Sequence, residues 1–211
     1  MDTLGAVVLS GGRSQRFGSD KTRAIVDGVT LLERVLAVVG MVVGDQAPGS
    51  VRADPTPVDA AAADRVLVVG DWAPAGVRVE AEPTRDLGPL AGLAHGLARV
   101  GAEGALVLAA DHPDLQPELL RLLVARSAAS EVRPEAVVPV GPTGPEPLVA
   151  WYRTDMAARA AARLATGDRS LREFLSTLDV VLVEPDEWRT VDPHGRSFRD
   201  VDTPGDLPPR S

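Results

Sequence analysis

Lys21 is the only lysine in this 211-residue chain, whose other basic side chains are all arginine. An ammonium is a compact point charge and a guanidinium a wide planar fork, so one lysine among arginines marks a place that wants the point charge. It closes the run Leu9-Ser10-Gly11-Gly12-Arg13-Ser14-Gln15-Arg16-Phe17-Gly18-Ser19-Asp20-Lys21. Adjacent glycines let the backbone turn sharply and present its N–H groups with no side chain in the way. Successive free amides form a concavity that suits a phosphate oxygen. Arg13 and Lys21 add the charge such a ligand needs, so the chemistry suggested is binding of a polyphosphate. A plain surface turn rich in Gly, Ser and Arg is the alternative.

Two familiar glycine loops are excluded by spacing. The P-loop needs G-x-x-x-x-G-K-[ST], whereas Gly12 to Gly18 is one residue too long and Lys21 sits three residues past Gly18. G-x-G-x-x-G has no match either, because Gly11 and Gly12 are adjacent. A second chemical centre is Asp111, directly after the most apolar run of the chain, Gly104 to Ala110. A carboxylate just past a buried parallel strand stands where open α/β sheets bind ligands. It is a hard oxygen donor of the kind Mg²⁺ takes, one or two carboxylates with water and phosphate completing the shell. The alternative is that Asp111 caps the following turn. Asp202 is a candidate second metal ligand, with Asp200 two residues away and on the same side of an extended segment; an N-cap before Thr203-Pro204 is its alternative. His95, His112 and His194 have no metal-ligand spacing, although the position of His112 brings it within reach of a ligand. No G-x-S-x-G elbow supports a serine nucleophile.

These residues need strands to deliver them. Ala6–Leu9, Arg65–Gly70, Val77–Glu80, Gly104–Ala110, Ala136–Val140 and Val180–Val183 read as strands. Asp27-Gly28 reads as a tight turn between short apolar pairs. Thr30/Glu33 and Ser170/Glu173 are capping boxes opening helices, the first running to about Val42. Further helices are expected from Pro89 to about Arg99, from Pro117 to about Ser127, and over 155–165 with Thr154 as N-cap. Strands alternating with helices predict a three-layer α/β/α architecture around a mostly parallel, Rossmann-like sheet. Residues 44–64 break the pattern with Gly, Pro, Asp and Ala, and read as a mobile surface loop. Residues 208–211 read as a disordered tail and the whole of 1–211 as one domain.

Net charge is −8, which argues against non-specific nucleic-acid binding and makes the glycine-rich run a local basic exception. There is no cysteine, excluding disulfides and thiolate chemistry. No apolar run is long enough for a membrane span, and a cytoplasmic protein is expected.

L-x-G-G-x-S-x-R-x-G-x-D-K resembles the signature loop of nucleotidyltransferases with a GT-A-like, Rossmann-related fold. Gly11-Gly12 is most similar to the molybdenum cofactor guanylyltransferase family, since cytidylyl relatives tend to carry Ala-Gly there. Gly88-Pro89-Leu90-Ala91-Gly92 with an acid upstream, Asp111-His112-Pro113-Asp114-Leu115, and the closing Asp200-Val201-Asp202-Thr203-Pro204 extend the resemblance over nearly the whole chain. It implies transfer of GMP from Mg-GTP to the phosphate of a molybdopterin-type cofactor, with release of pyrophosphate. It also implies Leu9, Ser10, Gly11 and Gly12 as backbone contacts to base and sugar, Gly70 and Glu82 beside guanine, Arg13 and Lys21 on the phosphates, and Mg²⁺ on Asp111 and Asp202. The family more often has Asp or Asn where Gly70 and Glu82 stand. Protein partners that deliver the cofactor or insert molybdenum are further implied. Acceptor recognition has no readable motif, with Arg153 and Arg169 as candidates. A cytidylyltransferase, or a nucleotide-binding regulator of the same fold, are the alternatives.

Overall fold

Six consecutive buried residues, Leu4–Leu9, form β1, and this strand has neighbours on both edges. In the computed structural model, residues 3–11, 21–26, 28–44, 64–82, 87–129 and 132–201 are described. A 3₁₀ turn at Lys21–Arg23 leads into the hairpin β2 (Ile25–Val26) and β3 (Val29–Thr30), with Gly28 at φ +82° in its turn. Then follow α1 (Leu31–Gly44), β4 (Val66–Val69), β5 (Arg78–Glu80), α2 (Pro89–Leu97), β6 (Gly104–Ala109) and α3 (Pro117–Ala128). The last third holds β7 (Ala136–Gly141), β8 (Gly144–Pro145), β9 (Val149–Arg153), α4 (Met156–Ala165), α5 (Leu171–Leu175), β10 (Val180–Val183) and α6 (Pro185–Trp188).

The strand order is β10-β7-β9-β6-β1-β4-β5, with β8 hairpinned onto β7. Pairs β1–β4, β1–β6, β4–β5 and β7–β10 are parallel, and the central β1, β4 and β6 are apolar runs buried on both faces, as parallel strands covered by helices should be. The exception is β9, which lies antiparallel between β6 and β7. Side chains alternate across the sheet. Leu4, Ala6 and Val8 pack with Leu32, Val35 and Leu36 of α1 and Leu119, Leu120 and Leu123 of α3. Val7 and Leu9 face the other way, onto Leu90, Leu93 and Leu97 of α2, with α4 and α5 completing that layer. The sheet therefore has helices on both faces.

The first capping box forms in full, and the second only by its N-cap half, because the Ser170 N–H donates to Asp168 Oδ1 at 2.9 Å instead of to Glu173. Glu33 Oε2 accepts from the Thr30 N–H at 2.8 Å while Thr30 Oγ1 accepts from the Glu33 N–H at 3.2 Å. Ser170 Oγ accepts from the Glu173 N–H at 3.2 Å. Thr154 does not cap α4: the N-cap is Asp155, and the Thr154 hydroxyl donates to the Ala102 carbonyl at 2.7 Å. Of the segment expected to be a loop, Gly44 ends α1 and Asp64 begins the turn into β4; residues 45–63, and the tail 208–211, lie outside the described residues. Among the described residues no helix is long and apolar enough to cross a membrane.

Candidate nucleotide site

Chain direction in the sheet reverses beside β1. From β1 the chain crosses to β4 and β5 on one side, then returns to β6 on the other. The carboxyl ends of β1 and β6 thus flank a topological switch point, the usual ligand crevice of such sheets. The Ala110 N–H donates to the Leu9 carbonyl at 3.0 Å, which sets Asp111 one residue beyond the last rung, next to Ser10.

Ser10 is tied to β4. Its N–H donates to the Val69 carbonyl at 2.9 Å and its hydroxyl to the same oxygen at 3.4 Å. Gly70 follows, its N–H bonded to the Glu80 carbonyl at 2.9 Å. A Cβ there would lie 2.0 Å from Ser10 Oγ, so glycine lets the two strand ends close up. Glu82 continues past β5, and its carboxylate lies over the glycines of two other segments. A Cβ on Gly92 would stand 2.8 Å from Glu82 Oε1, and one on Gly11 3.7 Å away. A carboxylate by the first turns of α2 is favoured by the helix dipole.

Asp111 is held from behind. Its carbonyl accepts from the Val201 N–H at 3.0 Å, and its Oδ1 stands 3.8 Å from His112 Nε2, beyond hydrogen-bond length. His112 Nδ1 is 3.1 Å from the Ser197 carbonyl; a carbonyl only accepts, so the proton is assigned to Nδ1. The segment supplying Ser197 and Val201 is a strap organised by Asp192. That carboxylate is buried, with Oδ1 accepting from Arg196 N–H at 3.0 Å and Oδ2 from Ser197 N–H at 2.9 Å. Ser197 Oγ in turn accepts from the Gln116 N–H at 3.0 Å, and Trp188 Nε1 donates to the Val140 carbonyl at 2.8 Å. Val201, also buried, packs with Val26 and Leu31 under the exit of the glycine-rich run. The strap thereby joins the backbone at Val201, next to Asp200 in the chain, to that of Asp111. Glu146, where the chain turns into β9, faces the same end of the sheet: the neighbouring Leu148 carbonyl accepts from the Ala109 N–H at 2.9 Å. Partial burial pushes its carboxyl above the usual range; His112 opposes the shift and Asp200 reinforces it.

Leu9, Ser10, Gly11, Gly70, Glu82 and Asp111 thus share one end of the sheet, although they come from four separate stretches. Gly12, Arg13 and Asp202 lie outside the described residues; Lys21 is described through its backbone, in the 3₁₀ turn against α1. Arg153 is at the wrong end. It pairs with Gly104 at the start of β6 and binds Asp155 Oδ1 at 2.6 Å, because β9 runs opposite to β6. Arg169 is exposed in the turn before α5. Glu146, Asp192 and Ser197 had no sequence signal beyond their polarity; the partners of Ser197 in the sheet are up to 85 residues away. Among the described residues no group of three or more His, Cys, Asp or Glu side chains is arranged to hold a metal. Asp111 fits an ion that takes one or two carboxylates and leaves its other positions to water and phosphate.

The family model described as the MobA-like NTP transferase domain matches residues 6–181. The chain belongs to that family. Full-length relatives agree with the MobA-like assignment. A probable molybdenum cofactor guanylyltransferase of Natronomonas pharaonis is 38% identical over 209 residues, covering 95% of this chain and 93% of the relative. One of Mycobacterium marinum is 33% identical, covering 98% and 92%. In fold, the chain is similar to molybdopterin-guanine dinucleotide biosynthesis protein A of Archaeoglobus fulgidus, with a TM-score of 0.70 at 24% identity over 96% of this chain and 94% of that one. A 2-C-methyl-D-erythritol 4-phosphate cytidylyltransferase of Thermus thermophilus shares the fold with a TM-score of 0.62 at 18% identity over 98% and 96%. MobA-like membership makes the chain a nucleotidyltransferase.

Proposed function

We propose that this MobA-like transferase joins GMP from Mg-GTP to the terminal phosphate of a molybdopterin-type cofactor. An oxygen of the acceptor phosphate attacks the α-phosphorus, the bond from that phosphorus to the bridging oxygen breaks, and pyrophosphate leaves with the bonding pair. Catalysis here is positioning and charge neutralisation. Ser10 and Gly11, with Leu9 and Gly12 beside them, give backbone groups to nucleoside and phosphate. Glu82, next to Gly11, accepts from the N–H donors of guanine's Watson–Crick edge, with Gly70 leaving room for the ring. Arg13 and Lys21 offset the charge of the phosphates and of the departing pyrophosphate. Mg²⁺, held by Asp111 with Asp200 or Asp202, supplies the remaining neutralisation when bound. The whole chain serves as one catalytic domain, in the cytoplasm, handing its product to proteins that carry or insert the cofactor.

The observation that carries this reading is the convergence of Ser10–Gly11, Gly70, Glu82 and Asp111 on the switch point of the sheet. The test is pyrophosphate release from GTP, CTP, UTP and ATP with Mg²⁺, with and without molybdopterin. Acceptor-dependent release from GTP alone is expected. Release from CTP in preference to GTP would turn the assignment to a cytidylyltransferase, and binding without release to a nucleotide-binding regulator.

A further inference from the structure

The guanidinium carbon of Arg23 lies 5.1 Å from the centre of the Trp72 ring, in cation–π range. Arg23 is two residues beyond Lys21, in the same 3₁₀ turn. Trp72 is two residues beyond Gly70, where β4 has just ended. The glycine-rich run is therefore tied at both ends to one short platform. At its start, Ser10 bonds to Val69 and lies against Gly70; at its finish, Arg23 covers Trp72.

We infer that Arg23 and Trp72 are a positioning pair, which fixes the turn bearing Lys21 against the end of β4 and so sets the lysine against the phosphates of a bound nucleotide. This rests on the nucleotidyl-transfer reading above. The other anchors of the turn are Thr22, which is buried, and the Ala24 carbonyl, which accepts from the Leu31 N–H at 3.1 Å. These hold the turn to α1, and the stack holds it to the end of β4. Core building accounts for part of the Trp72 ring, which packs against the main apolar cluster, but not for the exposed guanidinium laid over it. The chain has three tryptophans; Trp151 and Trp188 are buried, while Trp72 is half-buried and Arg23 exposed. An exposed stack of this kind adds little to stability, whereas a small displacement of a charge that stabilises a transition state is felt directly in rate.

The test is a double-mutant cycle on the full chain, with kcat and KM for GTP, melting temperature, and tryptophan emission on addition of Mg-GTP. R23M and W72L are each expected to lower kcat by about three- to tenfold, with the melting temperature little changed in R23M and lowered in W72L, whose ring also packs on the core. The double variant should be no slower than the slower single, because both remove the same contact. W72F, which keeps an aromatic face, should recover most of the rate. Mg-GTP should change the emission of the parent, and W72F should lose that change while still binding GTP by calorimetry. Unaltered kcat in both single variants, multiplicative losses in the double, or an emission change that survives in W72F would each overturn the pairing. Should the parent neither bind nor turn over GTP, CTP, UTP or ATP, the nucleotidyl-transfer reading itself fails and this inference falls with it. Should it turn over GTP regardless of the pair, only this inference fails.

Discussion

Alanine replacements at Gly92 and Gly96, one turn apart on α2, separate what the helix does for packing from what it does for the base site. In a helix interior alanine is favoured over glycine by about 0.8–1.0 kcal/mol, so the local gain is the same at both. The surroundings differ. At Gly96 a Cβ would stand 2.3 Å from Val7 Cγ1 and 3.2 Å from Val7 Cβ. Val7 is fully buried in the middle of β1 and β-branched, so it cannot rotate away, and the helix must lift from the sheet. Overpacking of this kind costs about 1–3 kcal/mol. After the helix gain the net loss is up to about 2 kcal/mol, a melting temperature lower by up to roughly 4–8 °C for a chain of this size. At Gly92 the nearest atom is Glu82 Oε1 at 2.8 Å, the far end of a flexible side chain, with Leu9 Cδ2 at 3.1 Å. The carboxylate swings aside and stability stays level. The base contact is what suffers: a lost hydrogen bond to a charged group is worth about 1.5–3 kcal/mol, so preference for GTP over CTP in kcat/KM should fall by about tenfold or more. Thermal melts and steady-state kinetics with both nucleotides decide it. Equal melting shifts at the two positions, or a Gly92→Ala enzyme with undiminished preference for GTP, would refute the reasoning.

Further outcomes follow from the same geometry. Lys21→Ala and Asp111→Ala should each lower kcat by about two to three orders of magnitude, read by pyrophosphate release; wild-type turnover in both would contradict the site. Asp192→Ala leaves the buried Ser197 N–H and the part-buried Arg196 N–H without their acceptor, so the melting temperature should fall by about 4–12 °C, and kcat with it as the strap loosens behind Asp111; an unchanged melt would show that the strap needs no such clamp. Glu146 is held above its usual value of 4.5 chiefly by partial burial, so the folded state binds that proton more tightly than the unfolded chain does. Its contribution to stability is present at low pH and lost as pH rises through the raised pKa. Glu146→Gln should therefore have a higher urea midpoint than the parent at about pH 8 and lose that advantage at about pH 4; an advantage that grew toward acid would reverse the sign.

Much of the architecture could be read from local pattern, because its signals are local. Strands buried on both faces are unbroken apolar runs, and both capping boxes are three-residue relationships that recur as hydrogen bonds. That Gly11, Gly70 and Asp111 follow strands was readable from the apolar runs before them; Gly70 and Glu82 as nucleotide contacts were implied by the family resemblance, and the roles of all four are those proposed above. What the residues did not reveal is long-range. PLVAWY gives no hint that β9 enters antiparallel between β6 and β7, and that reversal carries Arg153 to the far end from Asp111. The contacts of Ser197 with His112 and Gln116 and the stack of Arg23 on Trp72 join segments that only the assembled sheet makes neighbours.

The central claim is that one end of this sheet holds a nucleoside triphosphate with its base by Glu82 and its α-phosphate by Asp111. A crystal structure of the protein with GTP and Mg²⁺ tests it most directly. The account predicts guanine between Gly70 and Glu82, with the α-phosphate and the metal at Asp111. Nucleotide bound at the opposite end of the strands, near Gly104 and Arg153, would contradict it.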